Sequence, residues 1–295
     1  MAFSWVQLHH HIVVTVTNMG RWVGLFDGDG NFIMDITAIS ELSAEDTRGQ
    51  ADSPLNLVVP TATSTGDIHP VADVLIGEGV GRFDKTGQLA PDTDRRFLVM
   101  VATPERTSTY MVVSRVAEGG MDRPYQLTIE GVHIRSLLQL KPCPSHPPSW
   151  QARFDTWHED AAGRYVTPRV YAGVELATKA THYTVGGAPE TVIRTVIQDS
   201  LDAVNTAYGW TDDPDMVVDW AESGHASPLS VTVRKNDGTL WDTVASVAAN
   251  AGVNIDVRLW LPGDGPVRVR DGDTTVERTW EKPIMVVDVL QGVVA

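Results

Sequence analysis

Three segments of this sequence carry residue types that can activate water, a thiol or a metal. His158, Glu159 and Asp160 begin like the H-E-x-x-H run, in which two histidines one helical turn apart bind zinc beside a general base. Ala162 stands where the second histidine belongs. Cys143 lies three residues before His146, a pairing that lets an imidazole draw the proton from a thiol. Pro142, Pro144, Pro147 and Pro148 surround that pair, and nothing in such a segment forces the two side chains to converge, so a linker cysteine is expected. His9, His10 and His11 are adjacent. In a strand only His9 and His11 share a face, and no carboxylate or cysteine cluster flanks them.

Other motifs fail in similar ways. Asp27, Asp29 and Asn31 start like a calcium loop, but Phe32 replaces the glycine of the sixth position and Ala38 the glutamate of the twelfth. Between two apolar runs, Asp27 to Asn31 reads instead as a hairpin turn. Gly77, Gly79 and Gly81 follow an apolar run without the spacing or the following helix of a phosphate loop. There is no G-x-S-x-G, and Asp199, Asp202, Asp212, Asp213 and Asp215 read as a solvated surface. A pair of carboxylates that converges only in space stays open. No catalytic, metal or cofactor residue is assigned, and a non-enzymatic protein is expected.

The remaining candidates are aromatic. Trp150, Trp157, Trp210, Trp220, Trp241, Trp260 and Trp280 all fall in the second half, where they suit core packing, the anchoring of a subunit interface or sugar stacking. Trp150, Trp157, Trp210 and Trp220 are the interface candidates.

The elements that position these residues are mostly short strands. Alternation of Ile12, Val14 and Val16 with Val13, Thr15 and Thr17 predicts a strand. Trp22 to Phe26 and Phe32 to Ile36 predict a hairpin; Asn56 to Val59, Val71 to Ile76, Phe97 to Val101, Thr109 to Val116 and Tyr125 to Ile129 predict further strands of a small barrel or sandwich. His133 to Leu140 has the spacing of a short helix plugging that barrel. The proline-rich segment 141–150 marks the expected boundary between domains 1–145 and 146–295. In the second, Val192, Ile193, Val196, Ile197, Leu201, Val204 and Tyr208 predict a helix after Pro189. Leu229 to Val233 predicts a strand. A second helix is expected over Leu240 to Ala251, with Thr239 as its cap and Gly252 at its end. Strands follow at Ile255 to Leu261, Val267 to Arg270, Thr275 to Trp280 and Ile284 to Leu290.

Composition narrows the partners. The 295 residues, 42% hydrophobic and 21% charged, suit two globular cores. A net charge of −15 opposes tight nucleic-acid binding, which needs Lys and Arg to displace counterions from phosphates. No apolar run is long enough to span a bilayer, and no basic residue precedes Arg21, so the expectation is synthesis in a cytoplasm without a secretory signal. One cysteine excludes an internal disulfide.

The stretch from Leu42 to Pro60, LSAEDTRGQADSPLNLVVP, with the later YQLTIEGVHIRSLLQL, resembles the opening domain of baseplate hub, or tail-associated, minor tail proteins of long-tailed actinobacterial phages. GTLWDTVASVAANAGVNIDVRLW resembles the helix and strand of their second domain. The resemblance implies a β-rich α+β chain of two tube-like β-barrel domains with a few packed helices. It implies a homotrimeric ring at the virion tail tip, which closes the tail tube and adapts its sixfold symmetry to threefold. Implied partners are the distal tail protein, the tape measure protein and receptor-binding or fibre proteins. No long C-terminal extension follows of the kind that carries peptidase, lysin or fibre modules, so a structural role is expected. The rival readings are a hexameric distal tail protein, a wall-degrading hydrolase and a carbohydrate-binding module.

Overall fold

The computed structural model describes residues 4–63, 65–77, 82–83, 89–90, 96–120, 123–145, 154–172 and 184–292. The chain is β-rich α+β and its strands pair antiparallel wherever a register is defined. It divides into two compact units. One comprises residues 1–136, 257–266 and 279–285, the other residues 137–256, 267–278 and 286–295.

The first unit opens with α1 (Trp5–Met19), where the sequence predicts a strand. Its covered positions explain the difference. Trp5, Leu8, His9, Ile12, Thr15 and Val16 are buried or half-buried and recur every three or four residues, whereas Val6, Val13 and Val14 are exposed. Tertiary contact along that stripe overrides the β preference of the branched side chains. Gly20, at φ +76° in the left-handed region, ends the helix with its N–H on Val16 O.

A seven-stranded sheet follows. Its members are β1 (Trp22–Asp27), β2 (Phe32–Asp35), β3 (Glu41–Ala44), β4 (Pro54–Pro60), β7 (Phe97–Ala102), β8 (Thr107–Gly120) and β9 (Arg123–His133), hydrogen-bonded in the order β2-β1-β7-β8-β9-β4-β3. Among the described strands no pairing joins β2 to β3. The short strands β5 (Arg82–Phe83) and β6 (Leu89–Ala90) pair with each other. The predicted β1–β2 hairpin is present, with the Asp27 carboxylate accepting from the N–H groups of Asp29 and Asn31 across the turn. Val71 to Ile76, predicted as a strand, is helix α2 (Pro70–Ile76). Pro70 at its first turn and the His69 ring capping Val71 N are helix-start signals that the apolar run conceals. Leu25, Leu57, Val59, Leu75, Val99, Leu127 and Ile129 fill the core beneath the sheet. The short helix expected within His133 to Leu140 is a 3-10 helix over Ile134–Gln139.

The second unit is built on α3 (Pro189–Tyr208), where the apolar stripe predicts it, and α4 (Leu240–Ala251), where the cap and terminal glycine predict it. Thr239 Oγ1 accepts from Asp242 N, and Gly252 closes α4 at φ +72°. The strands are β10 (Phe154–Asp160) paired with β11 (Gly163–Ala172), β12 (Thr184–Gly187) with β14 (Val231–Arg234), and β16 (Val267–Asp271) with β17 (Thr274–Arg278). A three-stranded sheet runs β13 (Met216–Val218), β18 (Ile284–Gln291), β15 (Val253–Trp260). Residues 141–145, the described part of the proline-rich segment, lie along the turn before α4: Leu240 N donates to Lys141 O and Cys143 N to Gly238 O.

Gly30 in the β1–β2 turn combines two constraints. Its φ is +82°, and a Cβ there would stand 2.7 Å from Pro283 Cβ. Gly49 has a similar φ of +78° but open space around it. Gly49→Ala should therefore cost about 1 kcal/mol, the conformational term alone, and Gly30→Ala clearly more. Denaturant midpoints of the two variants check this ordering.

Candidate functional site

Two polar clusters stand out, one in each unit. In the first unit Arg135 is 1% exposed. Its guanidinium reaches the Asp46 carboxylate at 2.9 Å, while Nε donates to Gln50 O at 3.0 Å and Nη2 to Thr47 O at 3.1 Å. One side chain thus satisfies the irregular backbone between β3 and β4. Arg106 adds a second cation 3.3 Å from Asp46. Tyr110 sends its hydroxyl to Glu45 O and packs edge-on against the His133 ring, whose Nδ1 accepts from Arg135 N.

Burial and the Arg135 charge push His133 down to about 4, against a smaller opposing pull from Asp46. Burial by itself would raise Asp46, but His133, Arg135 and Arg106 together hold it below the usual carboxylate range. Burial also lifts Tyr110 to about 12. At neutral pH the cluster is a neutral imidazole, a fixed ion pair and a protonated phenol. That combination suits holding backbone in place.

In the second unit Glu190, in the first turn of α3, accepts from Arg194 at 2.6 Å, from Ser223 N at 3.1 Å, from the Ser223 hydroxyl and from Gln291 N at 3.1 Å. Burial opposes its ionisation, but those donors prevail and its pKa is lowered. Arg194 also donates to Ala221 O and Val289 O. The Arg194 and Arg270 guanidinium groups each stand 5.7 Å from the Trp220 ring, which donates Nε1–H to Gln198. Asp199 and Asp202 are drawn together by Arg270, at 2.9 and 2.7 Å, and Asp199 also takes Lys235. Asp199 is half-buried within this charge network, whereas Asp202 stays exposed, as the solvated-surface reading expects. The signal available in sequence was their position, three residues apart on one face of α3.

The interface candidates separate. Trp157 on β10 is 53% exposed and Trp210, just beyond α3, is 40% exposed. Trp210 stacks on Tyr208 with centroids 4.8 Å apart, and the Lys141 ammonium stands over its ring at 5.9 Å. Trp220 is half-buried in the network above. Trp150 lies outside the described residues. Trp241 and Trp260 are core residues, Trp260 edge-on to Trp280.

The failed motifs also find their places. Cys143 is fully buried with the Ser200 hydroxyl on its sulfur, and burial raises its thiol, which keeps it protonated; it is a core residue, not a linker cysteine. His146, Gly79 and Gly81 lie outside the described residues. His158, Glu159 and Asp160 belong to strand β10. Helical geometry turns His9 and His11 away from a shared face. His9 Nε2 meets Pro262 O at 3.1 Å, and His11 Nε2 meets Asp35 at 2.6 Å.

No protein-family model matches the chain, and no curated protein matches it. Among solved structures it is similar to the tail protein from Neisseria meningitidis MC58, at 13% identity and a TM-score of 0.34. That match covers 91% of this chain and 50% of the other, so this chain spans half the length of that protein.

Two outcomes follow from the clusters. Because His133 is depressed to about 4 while an unfolded histidine titrates near 6.5, the unfolded chain binds more protons between those values. The stability contributed by the neutral ring should be complete above about pH 6.5 and fall as pH drops toward about 4. His133→Asn, which keeps an acceptor for Arg135 N, should flatten this part of the pH–stability curve measured by urea unfolding. In the second unit, Glu190→Ala removes the partner of a buried guanidinium and should cost about 3 kcal/mol, read by the same method.

Proposed function

We propose that this chain is a structural subunit of the tail tip of a long-tailed phage, of the baseplate hub type, with no enzymatic activity of its own. Three copies form a ring that closes the tail tube, adapts its sixfold symmetry to threefold and surrounds a DNA channel. The distal tail protein would lie above the ring, the tape measure protein inside it and fibre or receptor-binding proteins outside.

The observation that carries this reading is where the family-like stretches fall. Leu42 to Pro60 is β3, the intervening loop and β4; the stretch from Tyr125 to Leu140 is most of β9 with the 3-10 helix. Arg135 from the second stretch is the residue that fastens Asp46, Thr47 and Gln50 of the first. The resemblance thus follows a physically coupled unit, not two independent apolar patterns. The stretch from Gly238 to Trp260 is α4 with its cap and β15. Exposed strand surface gives such a chain reason to assemble.

Native mass spectrometry of the purified chain at high concentration should show three copies. A stable isolated hexamer would contradict the hub reading and favour a distal tail protein. The charge of −15 suits a channel wall that DNA passes without sticking, since a basic wall would gain counterion-release energy at each phosphate. Reversing several axis-facing carboxylates should slow DNA ejection without blocking assembly. Normal ejection after reversal would remove the channel from the proposal.

A further inference from the structure

Helix α1 turns one stripe toward the rest of the first unit and leaves a second one open. Leu8 is buried, and His9, Ile12, Thr15 and Val16 are half-buried. Away from them Val6, His10, Val13 and Thr17 are exposed, Val6 at 74% and Val13 at 63%. Their intervals of four, three and four residues are the spacing of a heptad seam, which packs against another helix. No charge interrupts it, because residues 1–20 carry no Asp, Glu, Lys or Arg. Thr17 donates its hydroxyl to Val13 O, which leaves His10 as the polar group of the seam.

Charge decides what fits this face. With −15 on each chain, two copies repel one another over most of their surface, and they meet most readily where neither presents a charge. The open stripe of α1 is such a place. A lipid surface fits it less well, since helices that lie on membranes carry Lys and Arg on their polar face. Contact with the first unit already orders the helix, so packing at the seam incurs no cost of helix formation.

We infer that α1 packs against α1 of other copies of this chain through Val6, His10, Val13 and Thr17. The inference rests on the threefold ring proposed above and names a contact within it. Under threefold symmetry a face meets its own copies only on the axis, so three α1 helices stand there parallel and side by side. They close the channel at that level, and so short a seam, with His10 as a polar layer, is weak enough to part for DNA.

The test uses the full chain, read by native mass spectrometry and sedimentation. Val6→Glu with Val13→Glu brings like charges together on the axis and should raise the concentration for half-dissociation of the trimer by about tenfold or more. Both side chains are exposed, so the urea midpoint of the monomer should not change. A Val6→Lys, Val13→Lys chain mixed with the glutamate variant should recover trimers that contain both. Val13→Cys, oxidised by copper–phenanthroline, should give disulfide-linked dimers, while the wild-type chain, whose Cys143 is buried, gives none. A glutamate variant that assembles undiminished, or a trimer in which the cysteine variant stays uncrosslinked, would overturn the seam and leave the ring standing. Glutamate-variant trimers that form normally but fail to enter virions would overturn it too, and give the face to another tail protein. A wild-type dimer whose cysteine variant cross-links would keep the seam and overturn the ring. A wild-type chain that stays monomeric at every concentration would overturn both.

Discussion

A strand at the end of a sheet presents a row of backbone donors and acceptors, and each needs either water or another strand. In this protein β2 and β3 end the large sheet of the first unit, and β10 and β11 form a ribbon of two strands. A ribbon exposed on both faces buries little apolar area, and burial is the main favourable term in folding. Its exposed Trp157 therefore has more to gain from a neighbouring surface than from solvent. The assembly proposed above takes its physical motive from that imbalance.

The buried ionic groups perform a different task. Arg135 and Arg194 each sit where irregular backbone would otherwise leave carbonyls without donors, and each pairs with a carboxylate. Replacing such pairs with apolar side chains need not reduce stability, but an apolar side chain cannot donate to several carbonyls at once. The fold thus uses guanidinium groups as multi-pronged fasteners for loops. Cys143 and His133, held protonated and neutral respectively, are suited to packing and less to nucleophilic or acid–base work at neutral pH.

Much of the architecture was legible in the sequence where one signal acted alone. The stripe after Pro189, the Thr239 cap with Gly252, and the Asp27–Asn31 turn each lead to the observed element. Failures arose where two periodicities overlapped. Residues 12–17 alternate like a strand, yet Trp5, Leu8, Ile12 and Val16 also trace a helical stripe, and the side contacting the rest of the unit decided the outcome. At α2 a short apolar run outweighed the Pro70 signal. The clusters around Arg135 and Trp220 were illegible because their members lie tens of residues apart, and only the folded chain brings Asp46 to Arg135 or Asp199 to Lys235. Of the interface candidates, Trp157 and Trp210 are exposed, and nothing in the sequence signals that Trp220 lies near both Arg194 and Arg270.

The central claim concerns symmetry, and an averaged electron-microscopy image of the intact tail tip, with this chain located by a bound antibody fragment, tests it directly. The account predicts three labels spaced evenly around one axis, at the level where the sixfold tube ends. Six labels, or a label away from the tail tip, would contradict it.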